Sequence, residues 1–347
     1  MKHISYKLIW FDSLGAKSSC VLVKTPDTSI LIDPGAAEMQ PSYPASWEEK
    51  MKWLEEAESA IKKASKKAKI IVISHYHYDH FTDFDEELYD RKLILAKNPN
   101  KYINDSQRGR AEEFYGNILE AFGTTDLKSI LEKKEQKRYP NPMMDLPISK
   151  KMSFGSYDKR RKELLSAGYR WFRARARNWN ARKKIPEFKL KGVQVQFCDG
   201  REFKFGKTRI KFTMPLFHGI EYSRVGWIFA TSIRYGKEKI IHSSDMNGPI
   251  IEDYAEWIIK ENPDVLFLDG PMTYMFGYLL NRTNLNRAIE NASRIVREVD
   301  SELIVYDHHL PRESKFKERT QKVWETAEEC GRKLKTAAEV LGKKHKF

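Results

Sequence analysis

The segment Ser74-His75-Tyr76-His77-Tyr78-Asp79-His80 gathers three imidazoles and one carboxylate within six residues. In an extended chain residues two apart face the same way, so His75 and His77 can converge on one ion while a following turn carries Asp79 and His80 toward a neighbouring one. Imidazole with carboxylate suits a borderline divalent cation that keeps positions open for water. A lone histidine is more often a core or surface residue, but packing does not call for four ligand-type residues in the pattern His-x-His-x-Asp-His. Further potential ligands close other β-type runs. Asp33 ends ILIDPG, His218 ends TMPLFH, Asp245 follows KIIHSS, and His308 and His309 follow LIVYD.

These residues need strands to present them. Short runs rich in β-branched and aromatic residues, KLIWF, SCVLVKT and SILIDPG, dominate the start of the chain. A helix is expected from Ser46, where Ser46 and Glu49 form a capping box and Trp47, Met51, Leu54 and Ile61 recur at helical spacing, ending near Lys66. Residues 69–74, KIIVIS, read as a strand buried on both faces, with His75 at its carboxyl end. Between about Phe81 and Phe188 the strand signals fade into charged, helical, proline-punctuated sequence, read as a helical basic insertion or cap within one domain spanning 1–347. Strands return in VQVQFCDG, REFKFG, TRIKFTMP, GWIFATSIRYG and EKIIHSSD. Then follow a helix over 252–260, a strand over 265–268, a helix over 285–299 and a strand over 303–306. From Arg312 onward the chain reads as one basic amphipathic helix.

The signature and the ordered strand-end residues resemble the metallo-β-lactamase superfamily. The stretches SSDMNGP, FLDGPMTY and YDHHLPRE resemble its archaeal-type UPF0282 branch, whose substrate the resemblance does not supply. The resemblance implies an α/β, four-layer αββα sandwich holding two divalent ions. One ion takes His75, His77 and His218, the other takes Asp79, His80 and a terminal histidine, Asp245 bridges them, and Asp33 orients ligands by hydrogen bonding. Of the final pair, His308 is the favoured ligand, because Pro311-Arg312 then matches a similar His-x-x-Pro-Arg arrangement in the transfer-RNA 3′-processing members. Zinc is the expected ion, and iron and manganese suit the same donors. Such a pair generates hydroxide at neutral pH, and Asp79 and His77 are the residues on which turnover should depend. Having His77 and Asp79 in the hydrolytic form counts against the di-iron redox members. Tyr76, Tyr78 and His242 are weaker candidates for lining the site, and Asp269, a carboxylate at another strand end, could also line it but reads first as a turn residue.

The formal net charge is +14, and residues 150–184 supply +11 of it through thirteen Lys and Arg against Asp158 and Glu163. Arg170, Arg173, Arg175 and Arg177 interleave with Trp171, Phe172 and Trp179, a mixture suited to phosphates and stacked bases, although the same apolar residues also fit the buried stripe of a helix. A phosphodiester of nucleic-acid type is therefore the leading substrate. The alternatives are a small ester, thioester or lactone with the insertion as lid, and a nucleic-acid-binding protein whose metals are structural. Three scattered cysteines, Cys20, Cys198 and Cys330, indicate neither a disulfide framework nor a zinc ribbon. The absence of a signal segment or of a long apolar run points to a cytoplasmic protein with no membrane partner, and 32% charged residues suggest heat adaptation. Nothing in the sequence fixes an oligomeric state.

Overall fold

The computed structural model describes residues 1–123 and 125–346. Its first sheet contains β1 (Ser5–Phe11), β2 (Ser19–Lys24), β3 (Ser29–Ile32), β4 (Ile70–Ile73), β5 (Lys92–Ala96), β6 (Phe188–Lys189) and β7 (Val193–Phe197), in the order β1-β2-β3-β4-β5-β7-β6. The second contains β8 (Glu202–Phe205), β9 (Thr208–Phe212), β12 (Thr231–Tyr235), β13 (Glu238–His242), β14 (Val265–Asp269), β15 (Leu303–Asp307) and β16 (Leu334–Lys335), in the order β16-β15-β14-β13-β12-β9-β8. A small hairpin pairs β10 (Leu216–Phe217) with β11 (Trp227–Ile228). Within the sheets, β3, β4, β5 and β7 run parallel, as do β13 through β16.

Alternation along the strands builds four layers. Ile70 and Val72 of β4 join Val23, Ile32, Ile210, Ile233 and Phe267 in the core between the sheets. Ile71 and Ile73 of the same strand point the other way, toward Ile61 of α1 (Trp47–Ser65) and Phe114 and Ile118 of α2 (Asp105–Gly123). On the far side, Ile241, Leu266 and Ile304 share a core with Ile258 of α4 (Glu252–Glu261), Ile295 of α5 (Arg282–Glu298) and Val323 of α6 (Gln321–Glu329). This is the expected αββα sandwich. The capping box at Ser46 is present, with reciprocal bonds of 3.2 and 2.9 Å to Glu49.

Two expectations need correction. The segment 81–188 is not helical throughout, because Lys92–Ala96 forms β5 between β4 and β7 near the middle of the first sheet. Leu93, Ile94 and Leu95 make too short a run to show a period, and the charged helices around them hide it. The tail after Arg312 is not one helix. It breaks into Phe316–Arg319, α6, β16 and Ala337–Val340, since Thr320, Gly331 and the Thr336 capping box interrupt it. The longest helix, α3 (Asp158–Ala181), buries Phe172 and Trp179 against Trp227 and Tyr102, and Trp171 stacks on Trp227 at 5.3 Å.

Candidate metal centre

Parallel strands from both sheets end at one edge, where sites form outside the carboxyl ends of strands. Asp33 follows β3, His75 follows β4, Asp245 follows β13 by a short turn, Asp269 ends β14, and His308 follows β15; His218 follows β10. Gly35 lets the Asp33 loop lie against the signature turn, since a Cβ there would fall 2.3 Å from the Phe81 amide nitrogen. Asp33, Ser244, Asn247, His308 and His309 all have positive φ, between 33° and 54° for the first four and 55° for His309. Each such residue costs about 1–3 kcal/mol, and strain of this kind clusters where side chains must be aimed.

The side chains converge. His218 Nε2 lies 2.9 Å and His75 Nε2 3.4 Å from Asp245 Oδ2, and His77 Nδ1 lies 3.0 Å from His75 Nε2. On the other side of the carboxylate, His80 Nε2 is 3.0 Å and His308 Nε2 3.4 Å from Asp245 Oδ1, and Asp79 Oδ2 is 3.8 Å from His308 Nε2. His75, His77, His218 and Asp245 thus form one potential ligand group and Asp79, His80 and His308 a second, with Asp245 between them, while Asp245, His308 and His309 form a third that overlaps both. His309 Nε2 stands 3.7 Å from Asp245 Oδ2, while its Nδ1 faces Asn247 at 3.2 Å and Asp269 at 3.5 Å.

The imidazoles are held from behind. Asp33 takes the Nδ1–H of His80 at 2.8 Å and accepts from the Ser74 amide and hydroxyl at 2.8 and 2.7 Å. Asp12 takes the Nδ1–H of His308 at 3.0 Å, accepts from the His309 amide at 2.7 Å, and pairs with Arg312. Arg312 also reaches Asp79 at 3.2 Å.

These contacts test whether the residues fit a cation. With both Nδ1 protons committed to carboxylates, His80 Nε2 and His308 Nε2 face each other at 3.1 Å. If neutral, they oppose two lone pairs; if protonated, they oppose two N–H groups. A cation shared by the two resolves the clash, and separations of 3.0–3.4 Å suit donors each about 2.1 Å from one ion. Asp245 Oδ1 is buried without a hydrogen-bond donor, which is what a ligating oxygen requires. The donor set fits.

The electrostatics agree. Burial opposes charge on His80, but Asp245 and Asp33 outweigh it and hold its pKa well above the ordinary value; His308 is likewise pushed up to about 10 against burial by Asp12 and Asp245. Burial and then His80 lower His75 to about 4, and burial with His75 and His218 holds His77 lower than usual. Burial and Asp245 lift Asp269 to about 8.

The weaker candidates separate. Tyr76 is buried, its hydroxyl donating to the Lys97 carbonyl at 2.5 Å beside Tyr115. His242 is buried with Nε2 on the Ser19 carbonyl at 2.9 Å. Tyr78 is exposed and stacked on Phe81, with Arg110 over its ring. Asp269 ends β14 as a buried acceptor for the Asn247 amide at 2.7 Å, beside the His309 ring at 3.5 Å. Sequence reasoning missed Asp12; its only signal is an acid directly after the strand KLIWF, the same placement that marked Asp33. Of the four arginines, Arg170, Arg173 and Arg177 share the exposed face of α3, whereas Arg175 points away and pairs with Asp105.

A family model described as the metallo-beta-lactamase superfamily matches residues 15–111. The UPF0282 protein of Methanopyrus kandleri is 30% identical across 97% of this chain and 94% of its own, and that of Methanocaldococcus jannaschii is 32% identical across 96% and 90%. Among solved structures, the metallo-beta-lactamase fold protein YhfI of Bacillus subtilis is similar, with a TM-score of 0.47 and 13% identity over 99% of this chain and 97% of that one. With identity sustained along almost the whole of both relatives, and strand ends assembled around His-x-His-x-Asp-His, the chain belongs to the UPF0282 family of the metallo-β-lactamase superfamily.

Proposed function

We propose that this chain is a hydrolase that works with two divalent ions, zinc foremost, on a phosphodiester. The observation that carries the reading is Asp245, whose two oxygens each face a separate group of imidazole nitrogens. Structural sites close on four ligands, whereas six donor residues around one shared carboxylate suit a pair of ions with room for water. His75, His77 and His218 would hold one ion, Asp79, His80 and His308 the other. Such a pair, when bound, supplies hydroxide at neutral pH and neutralises charge on the attacked group.

The chain's own groups set the rest. Asp33 and Asp12 fix the ring orientations of His80 and His308. Arg312 holds the Asp79 carboxylate in place and, with His80 and His308, keeps it ionised against burial, as a residue facing a cation must be. Lys17, partly buried near Asp79 and Arg312, adds positive charge beside the site, and burial followed by Arg312 lowers its pKa. That charge supports an anionic substrate over a neutral ester, thioester or lactone. Arg170, Arg173 and Arg177 give α3 an exposed cationic face for such a substrate, opposite the Phe172 side that packs on Trp227.

The test is turnover of metal-quantified protein on bis(p-nitrophenyl) phosphate beside a thioester and a lactone, with and without chelator. Chelator-sensitive phosphodiester cleavage, lost in H77A/D79A, is expected. Cleavage of the thioester or lactone alone would overturn the substrate assignment, and cleavage retained in H77A/D79A would overturn the mechanism.

A further inference from the structure

The outer face of the second sheet is covered by helices over β13 to β15 but left open over β8, β9 and β12. In that open region the strand register aligns four cations in one row. Lys204 of β8 is opposite Arg209 of β9, Arg209 is opposite Arg234 of β12, and Arg234 is opposite Lys239 of β13. Like charges placed directly across strands destabilise a sheet, each pair by up to about 1 kcal/mol. Nothing in the fold requires them here, because the inward positions Ile210, Ile233 and Ile240 do the packing.

Lys211 in the next row and Lys207 in the β8–β9 turn add to the charge, giving an open groove of about 660 Å³. Two acids line the groove beside the six cations, and Asp27 lies under the β8–β9 turn, where it accepts from the Lys207 amide at 2.8 Å. Glu202 pairs with Arg209 at 2.9 Å, and Glu261 pairs with Lys239 at 2.8 Å and Lys211 at 3.4 Å. Lys204 and Arg234 make no ion pair among the described residues. At about 4.8 Å per strand the row is roughly 14 Å long, and over that length one strand of a duplex presents about four phosphates.

We infer that this cation ladder is a docking surface for the phosphate backbone of base-paired nucleic acid. None of the residues lining the groove is aromatic, so it offers no platform for an unpaired base and reads charge alone. A flat row of cations also suits a helical backbone better than a compact anion, which would need a buried pocket. Lys239 stands near the start of β13 and Asp245 follows the end of that strand by a short turn, so at about 3.3 Å per strand residue the ladder lies on the order of 10–15 Å from the metal centre. No residue of α3 lines the groove, and the surface does not depend on what the metal centre hydrolyses.

The experiment measures anisotropy of a labelled 20-base-pair RNA duplex, a DNA duplex and one separated strand with full-length metal-loaded protein across a range of KCl concentrations. The variant K204Q/R209Q/R234Q changes exposed side chains only, and its fold is checked by circular dichroism and by unchanged turnover of whichever small substrate the wild type cleaves. Duplex binding is expected, weakened at least tenfold in the variant at 100 mM salt. The slope of log affinity against log salt should fall by about 2–3, or about 0.9 for each phosphate that the variant no longer neutralises. Equal binding and equal slope in the two proteins would overturn the proposal, as would no duplex binding by the wild type. Tighter binding of the single strand, or ladder-dependent retention by phosphatidylserine vesicles without duplex binding, would also overturn it.

Discussion

Replacing Glu221 with Gln should loosen both the cap and the histidine beside it. Glu221 lies three residues after His218 and is buried at 5% side-chain exposure. Its Oε1 accepts from Arg161 of α3 and from Arg287 of α5, each at 2.8 Å, and from the Ser149 hydroxyl at 2.5 Å. Arg287 also pairs with Glu252 at 2.8 Å. Burial alone would raise the pKa of Glu221, but Arg287, with hydrogen bonds from Arg287, Ser149 and Arg161, outweighs it and brings the value down from 4.5 to about 2. A shift of that size corresponds to about 3 kcal/mol at neutral pH. Because the folded pKa is the lower one, this stability is fully present above pH 4.5 and disappears as the pH falls through 2. E221Q removes the charge while Arg161 and Arg287 stay buried, and breaking such a network typically costs about 3–5 kcal/mol. Urea denaturation of metal-loaded protein, followed by circular dichroism, should show that loss at pH 7. The variant should also show less change in stability than wild type between pH 4.5 and 2. A loss below about 1 kcal/mol at pH 7, or an unchanged acid profile, would show that the network does not hold α3 to the His218 loop.

Other outcomes follow from the metal centre and the arginine face. H308A should retain one ion per chain by elemental analysis and H309A two, since His308 Nε2 faces both His80 and Asp79 whereas His309 commits Nδ1 to Asn247 and Asp269 and brings Nε2 no nearer than 3.7 Å to Asp245. D33N should weaken metal binding about 10–100-fold in a competitive chelator titration, as loss of a ligand-orienting carboxylate does elsewhere. Without metal, Asp245 and Asp33 raise the pKa of His80, and Asp12 and Asp245 that of His308, each against burial. Zinc binding should therefore release on the order of two protons, read by calorimetry in buffers of different ionisation enthalpy, and affinity should rise from pH 6 to pH 8. R170Q/R173Q/R177Q should flatten the salt dependence of single-strand binding, and R175Q alone should leave it unchanged because Arg175 pairs with Asp105.

How well each part of the fold could be read from sequence tracks how local its cause is. The capping box at Ser46 needs two residues three apart, and the structure has it where the sequence places it. The buried run of β4 is unbroken and bounded, so its end, and His75 with it, could be located. β5 is just as central but consists of five residues between charged helices, and what makes it a strand is the pair of neighbours, β4 and β7, that it completes. Likewise Lys97 looks like one more surface cation, yet it is fully buried because Asp199, over a hundred residues away, pairs with it.

The same reasoning explains why the ligands were visible and their supports were not. A metal demands particular donor atoms, so the residues that face it are restricted in type, and a strand end restricts their position; the two restrictions together leave a pattern such as His-x-His-x-Asp-His. A supporting carboxylate has only to reach one ring nitrogen from behind, and any acid from any loop can do so. Asp33 stands out through its place in ILIDPG, but Asp12 acts from a loop at the far end of the chain, 296 residues from His308. It is tied there by three partners, the His308 ring, the His309 amide and the Arg312 guanidinium, all within one five-residue turn. That turn is where His308 and His309 both take positive φ, a conformation that β-type sequence such as LIVYD gives no reason to expect. Asp12 thus gives the two histidines different directions: it holds the His308 ring by Nδ1 and the His309 backbone by its amide, so that the first ring faces His80 while the second sets Nδ1 toward Asn247 and Nε2 toward Asp245.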